Sequence, residues 1–324
     1  MTPRRLRQLA ANPGNIPGVY NYCDRWCERC PLTARCLNFQ MEQEERAGED
    51  PAARDVANQA FWDTLTNSFQ LTIEMIREDC AERGIDFDKL VSESGDTPRV
   101  QKKIEQGKAR RAQAKEHPLV EAAHDYTMTA HKWLAEHRDA FEAAADSLVS
   151  AHLARLPGHT ESHVGSLAAS LADALDVVRW YHTMIPPKTY RAVSQHPVES
   201  KVAHDPDDPF ADLMDEAGDD DPESRQAEHD ARDSDANGSA KVALISIDRS
   251  LDAWARLRAH LPDHGDAIID FLVRLDRLRR ETERLFPKAR AFVRPGFDDA
   301  PDGISRATSP PPRSPPFPSP AGPS

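Results

Sequence analysis

The residues of this 324-residue chain with the most specific chemistry are its cysteines, and four of the five fall in one short segment: Cys23, Cys27, Cys30 and Cys36. Their spacing is C-x3-C-x2-C-x5-C. Thiolates are soft ligands that suit zinc or an iron–sulfur cluster, and a set of four closes the coordination sphere. A closed sphere leaves no position for a substrate, so the chemistry expected is a structural cross-link or electron transfer. Gaps of three and four predict that Cys23, Cys27 and Cys30 share one side of a helical turn, with the loop after Pro31 returning Cys36 to them. A disulfide framework is the poorer fit in a reducing compartment. Cys80, on an apolar helical step far along the chain, reads as an inert buried thiol.

The run Cys27-Glu28-Arg29-Cys30-Pro31-Leu32-Thr33-Ala34-Arg35-Cys36 resembles the last three ligands of the 4Fe-4S loop in DNA glycosylases of the endonuclease III and adenine glycosylase type. C-x2-C-x5-C is common there, and a proline often follows the middle cysteine. The resemblance spans about ten residues and implies a 4Fe-4S cluster on Cys23, Cys27, Cys30 and Cys36, with zinc as the alternative ion. In those glycosylases the first gap is six residues and the loop closes a catalytic domain; here it is three and the loop opens the chain. A helix-hairpin-helix glycine pattern is missing as well, so no glycosylase activity is carried over.

A second constellation lies on predicted helices. His124, His131 and His182 fall on apolar faces, and Asp248 sits between Leu244 and Leu251 at the same spacing. Buried polar groups must be satisfied, so these are either bonded boundary side chains or the lining of a small-ligand or metal pocket. Glu121 and His124 form the E-x-x-H pair of carboxylate-bridged bundles, but no second pair accompanies it on another helix. Arg179, Lys188 and Arg191 add charge near His182, which suits an anion or a solvated helix edge. The chain carries no P-loop, dinucleotide glycine fingerprint, G-x-S-x-G elbow or H-E-x-x-H helix. A non-catalytic role therefore leads, with a redox protein, an enzyme using the His/Asp pocket and a nucleic-acid-associated factor as the other readings.

Apolar periodicity supplies the elements that would position these groups. Trp62, Leu65, Phe69, Ile73, Ile76 and Cys80 predict a helix over about 54–83. Val120, His124, Thr127, His131, Leu134, Phe141, Ala145 and Leu148 predict one over 118–156. A third runs over 162–185 until Pro186-Pro187 stops it. Asn237-Gly238-Ser239 reads as the turn opening a fourth helix, carried by Leu244, Ile247, Leu251, Trp254, Leu257 and Leu261. The fifth follows Pro262 and Gly265, on Ile268, Leu272, Leu275, Thr282, Leu285 and Phe286. No period-two strand stands out, so the fold class expected is all-α, a bundle of about five main helices.

Around that bundle (54–292) the expectation places a four-cysteine metal module over 1–45, opening on an irregular lead-in over 1–22. A polar connection covers 92–115, a flexible acidic insertion about 196–238 and a disordered Pro-rich tail 300–324. The net charge of −13 and mean hydropathy of −0.66 argue against nucleic-acid binding by the whole surface. The first forty residues are locally basic, through Arg4, Arg5, Arg7, Arg25, Arg29 and Arg35, interleaved with Tyr20, Tyr22, Trp26 and Phe39. That end could meet phosphate and stack on bases, or its aromatics could pack around the metal. No apolar run could span a bilayer and Met1–Gln8 lacks the apolar stretch of a signal peptide. The location expected is therefore cytoplasmic, with no membrane partner and an unidentified protein partner.

Overall fold

In a computed structural model, which describes residues 2–47, 55–94, 98–141, 143–144, 162–196 and 222–298, the regular elements are all helices. They are α1 (Pro3–Ala10), α2 (Leu37–Ala47), α3 (Gln59–Glu82), α4 (Phe87–Ser94), α5 (Pro98–Lys115), α6 (Pro118–Glu136), α7 (Ser162–Gln195), α8 (Pro222–His260) and α9 (Gly265–Leu285). The all-α class is thus the observed one. None of these helices is long and apolar enough to cross a membrane. The chain divides into two compact units, Met1–Met75 with Val293–Ser324, and Ile76–Phe292.

In the first unit the expected irregular lead-in is corrected by α1. Thr2 accepts the amide of Arg5 at 3.3 Å and Pro3 occupies the first helical position, an N-cap pair that favours helix entry. Arg5 grips Glu44 of α2 through its Nε, 2.9 Å from each carboxylate oxygen. The apolar face expected of α3 is also corrected. The helix forms and ends at Gly84, φ +71°, where the amide of Ile85 bonds the Cys80 carbonyl at 2.8 Å in a Schellman cap. Yet Trp62, Phe69 and Ile73 remain 50%, 62% and 47% exposed, and of the six stripe residues only Cys80 is buried.

The second unit carries the large core. Helices α7 and α8 pack along each other, and α6 and α9 complete the bundle. Trp254 is fully buried at its centre, stacked on Phe271 with ring centroids 4.6 Å apart. Its Nε1–H donates to the hydroxyl of fully buried Tyr126 at 3.0 Å. On α6 Val120 and Leu134 are buried as expected, but the buried face is wider than the expected stripe. Leu119, Ala123, Tyr126, Ala130 and Trp133 face inward, whereas His124 and His131 are exposed. The helix also stops at Glu136, well short of the expected 156; Ala145 and Leu148 lie outside the described residues.

Two expected breaks are overridden by packing. Helix α7 continues through Pro186 and Pro187 to Gln195. A proline at 186 cannot bond the carbonyl of His182, but Thr127 on α6 donates its hydroxyl to that carbonyl at 2.6 Å. A neighbouring helix thus supplies the missing donor. Likewise α8 begins at Pro222 and passes straight through Asn237-Gly238-Ser239. Ala236, Asn237, Ser239, Ala240 and Ala243 are all buried, and small side chains there let α7 and α8 approach closely. Arg191 on α7 clasps Asp235 on α8 at 2.6 and 3.0 Å. The acidic insertion therefore ends no later than 221; residues 197–221 and the tail over 300–324 lie outside the described residues. The polar connection over 92–115 is corrected as well: Pro98–Lys115 is helix α5, built from Lys, Arg, Gln and Ala, which propagate helix well.

Candidate metal centre

Cys23, Cys27, Cys30 and Cys36 are all reduced, all half-buried, and all line one small cavity. The expected helical turn does not form. Asp24 instead accepts the amide of Trp26 at 3.3 Å, and Arg25 adopts φ +59°, the left-handed region. A non-glycine residue there stores strain, and such residues concentrate at functional sites. The chain then runs through two single 3-10 turns, Cys27–Arg29 and Thr33–Arg35. In the first, the amide of Cys30 bonds the carbonyl of Cys27 at 3.1 Å; in the second, that of Cys36 bonds Thr33 at 3.2 Å. Cys36 leads directly into α2, its carbonyl accepting the amide of Gln40 at 3.0 Å.

The lead-in braces this loop. The amide of Ile16 bonds the carbonyl of Arg35 at 3.0 Å, and Arg35 returns a bond from its Nε to the carbonyl of Gly14, also 3.0 Å. Gln40 ties Asn15 and the Ala34 carbonyl together at 2.9 Å each. A wall that sequence reasoning missed comes from the far end of the chain: Phe297 lines the cysteine cavity. Arg294 and Asp298 fasten that segment through a 3.0 Å ion pair, 13% and 22% exposed. Gly296 has φ +75°, and a Cβ built there would stand 2.7 Å from Cδ1 of Ile16. Gly296→Ala is therefore expected to cost about 1–3 kcal/mol from backbone strain and overlap. Differential scanning calorimetry checks it: the substitution should lower the transition of the first unit and leave that of the helical bundle in place.

Burial first, then Cys23, Glu42, Cys30 and Glu28, push the Cys27 thiol up to about 11. Burial also raises Cys30, partly offset by the Leu32 amide, which donates to its sulfur at 3.4 Å. Protonated thiols are poor ligands, so binding a metal here must release protons. The donor set fits an iron–sulfur cluster: four sulfurs, with Asp24 beside them, an N–H···S bond of the kind that tunes such clusters, and apolar walls from Val19, Leu32, Phe39 and Phe297. Among the described residues no three His, Cys, Asp or Glu side chains are grouped so as to hold a metal ion. The arginines of this end are largely engaged: Arg5 on Glu44, Arg29 stacked 3.9 Å over the Trp26 ring, Arg35 on Gly14.

The second constellation is half assembled. His131 and His182 meet, Nδ1 to Nε2 at 3.5 Å with rings stacked 5.7 Å apart. His124 is exposed elsewhere on α6, and Asp248 pairs with Arg290. The four do not form one pocket. Burial lowers the pKa of His182, against hydrogen bonds to the Val178 and Arg179 backbone; His131 lowers it further, and Arg138 and Arg179 line the same cavity. Because the folded value lies below the ordinary 6.5, the unfolded chain takes up the proton more readily. The stability this group contributes is complete above about pH 6.5 and is lost as pH falls through the lower folded value. His182→Gln should flatten that decline in a series of thermal melts between about pH 7.5 and 5; an unchanged slope would contradict it.

Set beside known proteins, the chain matches no family model, no curated protein and no solved structure, so its function is read from this geometry.

Proposed function

We propose that the first unit is a cysteine-ligated metal module, that Cys23, Cys27, Cys30 and Cys36 hold a 4Fe-4S cluster, and that the role is structural rather than catalytic. The observation that carries the reading is the poverty of the unit's own core. Four thiols surround one cavity, yet among residues 2–47, 55–75 and 293–298 only Val19 is buried. A unit with so little buried apolar surface draws its folding energy from elsewhere, and a bound metal is the usual source. The four sulfurs, the Leu32 N–H···S bond and the left-handed Arg25 support the same assignment.

The four sulfurs border one small space, and four thiolates suit a 4Fe-4S cluster, with a zinc ion as the alternative. When bound, such a cluster supplies a multi-point cross-link and a one-electron redox centre. The chain's own residues fix the four sulfurs, exclude water through Phe39 and Phe297, and present Trp26 and Arg29 beside the site. Anaerobic isolation with iron, acid-labile sulfide and zinc quantified per chain tests the proposal. Iron and sulfide in equal amounts near four per chain are expected; stoichiometric zinc without sulfide would replace the cluster by an ion, and neither metal would end the reading.

A further inference from the structure

The helical bundle holds a second feature that the metal module does not use. Between α6 and α7 lies a cavity of about 700 Å³, within the range that accommodates small-molecule ligands. Its walls are apolar, from Leu134, Phe141 and Leu175 among others, and its polar groups are all of one kind. Among the described residues Arg138, Arg179, His131 and His182 line it, and no carboxylate does. In a chain of net charge −13 that separation is against the grain. It also sets these two arginines apart from many others of the bundle. Arg191, Arg256, Arg274, Arg284 and Arg290 are each paired with a carboxylate, whereas Arg138 and Arg179 have no ion pair among the described residues.

The histidines add direction. The Nδ1–H of His182 donates to the Val178 carbonyl at 3.1 Å, which in the neutral ring leaves Nε2 as an acceptor facing Nδ1 of His131 at 3.5 Å. The carbonyl of His182 is held by Thr127 at 2.6 Å. The ring is thus oriented by its own helix and by His131, and the donors offered to an oxyanion are those of the two arginines. Guanidinium groups supply the charge and the forked geometry that oxyanions match.

We propose that this cavity binds an amphipathic oxyanion, a carboxylate or phosphate head on an apolar body, with Arg138 and Arg179 taking the head and Leu134, Phe141 and Leu175 the body. Hydrophobic walls alone would accept any apolar ligand; the paired arginines select the sign of its charge.

Isothermal titration of the full chain with octanoate, octyl phosphate and octylammonium tests this. Saturable binding at one site per chain is expected for at least one of the two anions, the stronger naming the head group, and none for the cation. Arg138→Gln with Arg179→Gln should weaken the anion about tenfold or more. Ala172→Phe, which intrudes on the apolar part of the cavity while keeping both arginines, should weaken the anion about tenfold or more. Circular dichroism of both variants checks that the helices persist. Octylammonium binding as tightly as the anions, an affinity unchanged in either variant, or no saturable anion binding would each overturn the proposal.

Discussion

Replacing Cys27 and Cys30 together by serine is expected to remove essentially all bound metal and to unfold the first unit while the bundle keeps its helices. The reason is an imbalance. Structural metal sites supply on the order of 10 kcal/mol or more of folding free energy, and this unit has little else, since Val19 is its sole buried residue among those described. The four cysteine sulfurs reach the cavity from turns and 3-10 segments rather than from a stable helix. Without the metal, those turns have only scattered hydrogen bonds to hold them. Iron and sulfide analysis reads the first part of the outcome, and hydrogen exchange over residues 16–40 reads the second. The serine variant retaining full metal would place the ligands elsewhere. Retained exchange protection with the metal gone would show that the unit folds by packing alone.

The bundle depends on a different kind of centre. Trp254→Ala is expected to cost about 3–5 kcal/mol, a large share of the roughly 5–15 kcal/mol that stabilises an ordinary domain. The indole is fully buried, stacked on Phe271 and set edge-on to Trp133 at 5.5 Å. It also donates the 3.0 Å hydrogen bond to Tyr126, whose own ionisation burial pushes far up. Trp254→Phe keeps most of the ring volume, loses the donor and should cost less, about 1–2 kcal/mol. Urea titrations followed by far-ultraviolet circular dichroism compare the two. An alanine variant with the midpoint of the unsubstituted chain would mean that α6, α8 and α9 do not meet around this residue.

Much of the architecture was legible because apolar spacing reports helices directly. Leu244, Ile247, Trp254 and Leu257 on α8, Leu261 just after it, and Ile268, Leu275, Thr282 and Phe286 around α9, are buried as their periodicity predicts. What escaped was set by partners distant in sequence. Pro186 ends a helix in isolation, but the hydroxyl of Thr127 lies fifty-five residues from the His182 carbonyl it satisfies. Gly238 reads as a turn until α7 packs against its neighbours. On α6 Val120 and Leu134 were placed correctly, but the buried face extends over Ala123 and Ala130, which do not stand out as apolar, rather than over His124 and His131. Thr2-Pro3 was a readable helix start that composition masked.

The candidate site divides in the same way. Cysteine spacing identified the four thiols because ligand chemistry is written in residue type. It could not show that Phe297 closes their cavity, a contact that joins opposite ends of the chain. Nor could it show that Arg25 turns the loop, since left-handed backbone has no signature in a residue that is neither glycine nor asparagine. Of the second set, His131 and His182 meet because their helices cross there, while His124, one helical turn or two away, faces outward.

X-ray absorption at the iron and zinc edges of the anaerobically isolated chain addresses the assignment of the four thiols most directly. An iron signal with both a sulfur shell and a second shell of neighbouring iron is the predicted result, lost in the Cys27→Ser and Cys30→Ser variant. A zinc signal with sulfur neighbours alone, or an absence of both metals, would contradict it.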